Sequence, residues 1–232
     1  MDRPNGPVSS NMFVKICGIT DVDDALLAVA LGADALGFIF APSTRQIAPT
    51  RVRDITGRIP ADTLTVGVFR NESKERVVDI VHTAGLRAAQ LHGNESPEDV
   101  AWVAHRVPTV IKAVAAGTEQ ARRAADFDVP ILLVDAQTPG SGEVFDWKLT
   151  ESLPMGRRIL LAGGLDPDNV ADAIATVLPW GVDVSSGVER EPGRKDPTAL
   201  RRFIQNAKAA GDLIEATEHA SSEDGMYNWE VE

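Results

Sequence analysis

Two residues carry the side chains of an acid–base pair, and each stands where an apolar run gives way to a loop. Cys17, the only cysteine, follows Val14-Lys15-Ile16 and precedes Gly18. One cysteine makes neither an internal disulfide nor, alone, a thiolate metal site. It is either packing, the common fate of a free cysteine, or chemistry. A thiol titrates near about 8.5, and Lys15, two residues earlier and so on the same strand face, would favour the thiolate and a role as base. Asp135 follows Ile131-Leu132-Leu133-Val134 and precedes a loop with Pro139-Gly140-Ser141-Gly142. An acid behind four apolar residues does not serve solubility. Partial burial would raise its pKa and let it act as a general acid, whereas the plainer reading is an N-cap or loop brace.

Other candidates surround a ligand rather than react with it. Gly163-Gly164 and Ser185-Ser186-Gly187 offer bare backbone amides, which approach an anion closely and favour phosphate. The plainer reading, tight turns only, would serve for one loop better than for both. Asp183 and Ser185 alternate on one strand face. Arg45, in the loop 41–49, could clamp a carboxylate or phosphate bidentately, although arginines are commonly exposed. His92 closes Gln90-Leu91-His92 and would brace a pocket or bond a substrate. The other three histidines fall in helical stretches (His82, His105) or near the C-terminus (His219), so no metal site is expected.

Eight short apolar runs position these groups: Phe13 to Ile19, Ala35 to Phe40, Leu64 to Phe69, Ala88 to His92, Thr109 to Ala113, Ile131 to Asp135, Ile159 to Ala162 and Val182 to Ser185. Their starts recur about every 24 residues, room for a strand, two short loops and a helix of roughly ten residues. Helical segments fit between, with apolar positions at Leu26, Val29 and Ala30, then at Val77, Val78, Ile80 and Val81. Ser96-Pro97 and Asp166-Pro167 read as N-caps followed by proline, and Gly32, Gly85 and Gly211 as helix ends. Eight units without a dinucleotide fingerprint favour a closed α/β (β/α)₈ TIM barrel over an open doubly wound sheet. In such a barrel the chemistry belongs to the loops at the C-terminal strand ends, where Cys17, Arg45, His92, Asp135, Gly163-Gly164 and Ser185-Ser186-Gly187 fall.

The chain has 232 residues and a net charge of −11, against nucleic-acid or anionic-membrane binding, which want basic patches. The seven acids after Lys208 account for most of this charge. The expected organisation is an N-terminal extension over 1–11, a barrel over 12–211, and a solvated acidic tail over 212–232, helical at first. No apolar run approaches the roughly 18 residues of a membrane span, and the start lacks a signal-peptide pattern. A cytoplasmic protein is expected.

At these positions the sequence resembles the phosphoribosylanthranilate isomerase family, barrel enzymes of tryptophan biosynthesis, over roughly residues 12 to 206. The landmarks are Val14-Lys15-Ile16-Cys17-Gly18-Ile19-Thr20, Gly37-Phe38-Ile39-Phe40 with Ser43 and Arg45 beyond, Val66-Gly67-Val68-Phe69, Gln90-Leu91-His92-Gly93 and Ile111-Lys112-Ala113. They continue with Phe145-Asp146-Trp147, Leu161-Ala162-Gly163-Gly164-Leu165, Asn169-Val170 and Val182-Asp183-Val184-Ser185-Ser186-Gly187-Val188-Glu189. Each is weak alone; together they are specific. The resemblance implies a cofactor-free Amadori rearrangement of N-(5-phosphoribosyl)anthranilate to 1-(2-carboxyphenylamino)-1-deoxyribulose 5-phosphate. Asp135 would then be the acid, Cys17 the base, and Arg45 the partner of the anthranilate carboxylate. Lys15, His92 and Asp183 would lie around the substrate, with the phosphate on Gly163, Gly164, Ser185, Ser186 and Gly187. The implied ligand is a phosphorylated small molecule, bound by a monomer or homodimer. One departure is Pro139-Gly140-Ser141-Gly142, where the family usually has Gly-Gly-Thr-Gly. Two rivals stand beside this reading. A related phosphosugar isomerase would be expected to carry aspartate where Cys17 stands, and a non-catalytic phosphate-binding barrel would have lost the acid–base pair.

Overall fold

A computed structural model describes residues 12–135 and 157–223, with side chains as far as 217. The extension 1–11, the Pro139–Gly142 stretch, Phe145-Asp146-Trp147 and the residues after 223 lie outside the described residues. In chain order the elements are β1 (Phe13–Ile16), α1 (Val22–Ala30), β2 (Ala35–Ile39), α2 (Pro49–Thr56), β3 (Leu64–Phe69), α3 (Lys74–Thr83), β4 (Ala88–Leu91), α4 (Pro97–Ala104), β5 (Val110–Ala115), α5 (Glu119–Arg122) and β6 (Ile131–Asp135). After the gap come β7 (Arg158–Leu161), α6 (Val170–Val177), β8 (Gly181–Val184), β9 (Glu189–Glu191), β10 (Arg194–Lys195) and α7 (Pro197–Glu223).

The strands β1 to β8 are parallel neighbours in sequence order, and β8 pairs with β1, Lys15 opposite Asp183, so the barrel is closed. Closure buries both strand faces, which is why the strands read as continuous apolar runs rather than alternating ones. Alternate residues pack into two layers. Ala35, Val66, Ala88, Ile111, Ala113, Ile131, Leu133, Leu160 and Ala162 fill the barrel. Val14, Ile16, Leu36, Phe38, Leu132, Leu161, Val182 and Val184 face outward onto the helices. Asp135 therefore shares a face with Leu133, and Gln90 with Ala88, which turns both polar groups toward the barrel mouth. No helix of the described residues is long and apolar enough to cross a membrane.

The helix ends follow local chemistry. Asp21, Ser73 and Ser96 accept the backbone N–H three residues on, at α1, α3 and α4, and Pro97 opens α4. Gly32 (φ 100°) and Gly85 (φ 67°) take the left-handed conformation just beyond α1 and α3, as a terminating glycine does.

Three expectations need correction. In α1 the buried residues are Ala25 and Ala28, while Leu26 and Ala30 are exposed; small side chains seat the helix against the sheet. The helix near 166 starts only at Val170. Asp166 Oδ1 first accepts the N–H groups of Asp168 and Asn169, making a turn that takes up Pro167. Gly211 ends nothing, because α7 runs through it to Glu223 and the 211/212 boundary falls inside a helix. Phe203, Ile204, Ala207 and Ala210 are buried and Ile214 packs against the same core, so the stripe continues past a glycine whose cost in a helix is about 1 kcal/mol.

Candidate active site

The C-terminal strand ends surround a cavity of about 360 Å³ lined by Cys17, Ile39, Ser43, Arg45, Val68, Arg70, Gln90, His92, Asp135, Asp183, Ser185 and Ser186, together with Ala41 and Pro42. That volume suits a small organic ligand. Of the sequence candidates, Cys17, Arg45, His92, Asp135, Asp183, Ser185 and Ser186 come together here. Lys15, Gly163, Gly164 and Gly187 do not line it.

Cys17 stands one residue past β1, its N–H donating to Val184 O at 2.8 Å, which fixes the turn on the barrel rim. Behind it lies Lys15, fully buried, with Nζ 2.8 Å from Asp183 Oδ1. Lys15 thus sits beneath the cavity rather than on its wall. Burial pushes the Cys17 thiol above its ordinary value, with Lys15 and Lys195 opposing and Asp183 adding to the rise. The expected net pull of Lys15 toward thiolate is therefore not found: its charge is already matched by Asp183, and desolvation of the sulfur outweighs the remainder. Burial also disfavours the Lys15 ammonium, but Asp183 and Cys17 more than offset this and hold Lys15 protonated. Gly37 belongs to the same construction, because a Cβ there would lie 2.8 Å from Cys17 Sγ and 3.1 Å from Lys15 Nζ.

Opposite, Asp135 ends β6 almost fully buried. His92 Nε2 lies 3.3 Å from Asp135 Oδ2, and its Nδ1 is 3.1 Å from Gln90 Nε2. With the amide donating to Nδ1, the neutral ring carries its proton on Nε2, toward Asp135. Gln90 Oε1, His92 Nε2 and Ser185 Oγ are buried polar atoms without an aligned hydrogen-bond partner. Such atoms are costly unless something fills the space between them, and all three belong to residues lining the cavity.

Two buried lysines that sequence reasoning left without a role hold the rim. Lys195 Nζ donates to Cys17 O (2.6 Å), Ser185 O (3.1 Å) and Glu189 Oε1 (2.9 Å). Glu189 also receives Arg45, through Nε at 2.9 and 3.0 Å and Nη2 at 2.7 Å. Burial works against the Glu189 carboxylate, but Arg45 and Lys195 override it and hold its pKa down. Arg45 is thus a fixed guanidinium with its side chain only 16% exposed. Lys112 Nζ donates to Leu91 O, Gly93 O and Ala113 O at 2.8–3.1 Å and to Glu95 Oε2 at 2.9 Å, bracing the turn that carries His92. The signal for Lys112 was a lysine inside an apolar strand. Lys195 gave none, since Arg194-Lys195-Asp196 reads as an exposed polar turn.

The seventh and eighth loops pack together. Gly163 (φ 88°) and Gly164 (φ 68°) adopt the left-handed region, and a Cβ on Gly187 would lie 2.0 Å from Leu165 O. Only glycine allows this approach. The N–H groups following β8 open a short 3₁₀ turn, Ser186–Val188, beside the cavity.

The family model described as N-(5'phosphoribosyl)anthranilate (PRA) isomerase matches residues 14–206. The N-(5'-phosphoribosyl)anthranilate isomerase of Desulforudis audaxviator is 51% identical over 205 residues, 85% of this chain and 98% of that protein. Among solved structures, phosphoribosyl anthranilate isomerase from Thermus thermophilus aligns with a TM-score of 0.80 at 40% identity, covering 85% of this chain and 99% of that one. A phosphoribosyl anthranilate isomerase in complex with reduced 1-(o-carboxyphenylamino)-1-deoxyribulose 5-phosphate aligns at 0.76 and 42% identity, with coverage of 85% and 99%. With the match spanning every barrel strand but the first residue of β1, and with near-complete coverage of its relatives, the chain belongs to the N-(5'-phosphoribosyl)anthranilate isomerase family.

Proposed function

We propose that the chain catalyses the aldose–ketose isomerisation of N-(5-phosphoribosyl)anthranilate, a step of tryptophan biosynthesis, by acid–base catalysis with Asp135 as acid and Cys17 as base. The observation that carries this reading is the placement of Cys17 and Asp135 on one cavity beside three buried polar atoms that lack aligned partners. Asp135 gives its proton to the furanose ring oxygen, the C1–O bond breaks, and a protonated Schiff base forms at C1. The Cys17 thiolate then takes the C2 proton, the electron pair moves to the nitrogen, and the resulting enolamine tautomerises to the ketone. The rearrangement is proton-neutral, so exchange of one proton out of Cys17 and one into Asp135 restores the enzyme. His92, whose Nε2 faces Asp135, orients the acid. Lys15 pairs with Asp183 and fixes its carboxylate at the cavity wall. The phosphate sits on the backbone amides at Gly163, Gly164, Ser186 and Gly187 with the Ser185 hydroxyl, and Arg45 meets the aryl carboxylate with the N–H groups Glu189 leaves over. The enzyme works in the cytoplasm as a monomer or homodimer.

The test is loss of the substrate's fluorescence on addition of purified protein, repeated with Asp135→Asn. The amide keeps the shape but delivers no acidic proton, so kcat should nearly vanish while the reduced product analogue still binds. Retention of most of kcat would place the acid elsewhere.

A further inference from the structure

The cavity holds two arginines that differ in how their charge is used. Arg45 already has an internal partner: three contacts of 2.7–3.0 Å tie it to Glu189. The buried cations beneath the mouth are matched in the same way, Lys15 by Asp183 and Lys112 by Glu95. Arg70, the residue after β3, lines the same cavity, is exposed and makes no ion pair or hydrogen bond among the described residues. It is thus the cavity arginine whose guanidinium meets no carboxylate among the described residues.

Its place in the barrel tells which part of a ligand it meets. In the closed order β3 stands four strands from β7 and three from β8, so Arg70 lies across the mouth from the loops assigned to the phosphate. Between them the wall is apolar on the β2 and β3 side, with Ile39 and Val68. A substrate with phosphate at one end and an aryl carboxylate at the other, its ribose over Cys17 and Asp135, lays its ring against that wall and its carboxylate toward β3. Resting on the function proposed above, we infer that Arg70 is a specificity-determining residue that recognises the aryl carboxylate, adding an exposed guanidinium to the fixed one of Arg45 in the same cavity.

The experiment compares Arg70→Gln and Arg70→Lys with the unaltered enzyme in binding two probes, the reduced 1-(2-carboxyphenylamino)-1-deoxyribulose 5-phosphate and its phenylamino counterpart lacking the carboxyl group. A charge-assisted hydrogen bond of about 1.5–3 kcal/mol corresponds to roughly 10- to 150-fold. Arg70→Gln should therefore weaken the carboxylated probe by at least tenfold and leave the other within twofold, with Arg70→Lys in between. On the true substrate KM should rise with kcat within about threefold. Equal weakening of both probes, or no weakening of either, overturns the role of Arg70 while leaving the isomerase reading intact. Failure of the unaltered enzyme to bind either probe overturns the isomerase reading and this inference with it.

Discussion

Lys195→Met removes a side chain that ties the Cys17 turn, the β8 end and the Arg45 clamp together. Its Nζ is fully buried and serves two carbonyls and one carboxylate. Methionine fills similar space but donates nothing, so Cys17 O and Ser185 O lose a donor, at about 1 kcal/mol or more each, and Glu189 loses one of its two cations. Breaking a buried pair outright costs about 3–5 kcal/mol. Because Arg45 still holds Glu189, the pair contributes less than that, and the whole change comes to about 3–5 kcal/mol. At about 2–4 °C per kcal/mol for a chain of this size, Tm falls by roughly 6–20 °C. Thermal unfolding followed by circular dichroism reads this directly, alongside kcat at a temperature where both proteins are folded. The Cys17 turn loses its anchor, and misplacement by an ångström costs about 10² in rate. Adding Glu189→Gln, which also deprives Arg45 of its partner, should cost less stability in the Lys195→Met background, where one of the carboxylate's two cations is already gone, than in the unaltered protein. A Tm within about 2 °C of the parent, or strictly additive losses in the double variant, would show that Lys195 is not the centre of this network.

Cys17→Ala should lower kcat by about 10² to 10⁴, the usual worth of a positioned base, while the reduced product analogue binds as before; turnover within tenfold of the parent would leave Cys17 as packing. Because burial holds the thiol above its ordinary value and the base acts without its proton, kcat/KM should climb with pH through neutrality and level off only above about 8.5, and a flat profile between pH 7 and 9 would contradict this. Gly37→Ala puts a methyl 2.8 Å from Cys17 Sγ and should cut kcat by about 10- to 100-fold, whereas Gly57→Ala, with no non-neighbour atom nearer than 3.5 Å, should leave it within threefold. Burial disfavours the Glu95 carboxylate, yet Lys112 and backbone N–H groups hold its pKa below the ordinary value. Its contribution to stability is therefore present above about pH 4.5 and lost as pH falls through the lower folded value, and Glu95→Gln should both destabilise the protein at pH 7 by about 3–5 kcal/mol and flatten the acid limb of an unfolding-versus-pH curve.

Much of the barrel could be read from the chain because local rules and the global fold agree. Strands buried on both faces must be apolar throughout, so β3 and β6 appear in the sequence as Leu64–Phe69 and Ile131–Asp135, the bounds they have in the structure. The period of two then places Asp135 and Asp183 at the mouth, and the position of Cys17 before Gly18 marks it as a rim residue. Boundaries were less legible where tertiary packing overrides a local signal, as at Gly211, which the buried stripe of α7 carries into the helix interior, and at Asp166, whose side chain makes a turn before the helix can begin.

What the sequence could not reveal is which charges meet. Glu189 and Lys195 are close in sequence and look like surface residues. Only closure of β8 against β1 brings them under Cys17 and onto Arg45, whose loop lies 144 residues away from Glu189. The same closure sets Lys15 opposite Asp183, cancelling the charge expected to favour the thiolate, and buries the sulfur so that its proton is held more tightly. Residue types and spacing determined the barrel and the candidates for its chemistry; the electrostatics of that chemistry depend on desolvation and on distances between residues far apart in the chain, and those exist only once the barrel has closed.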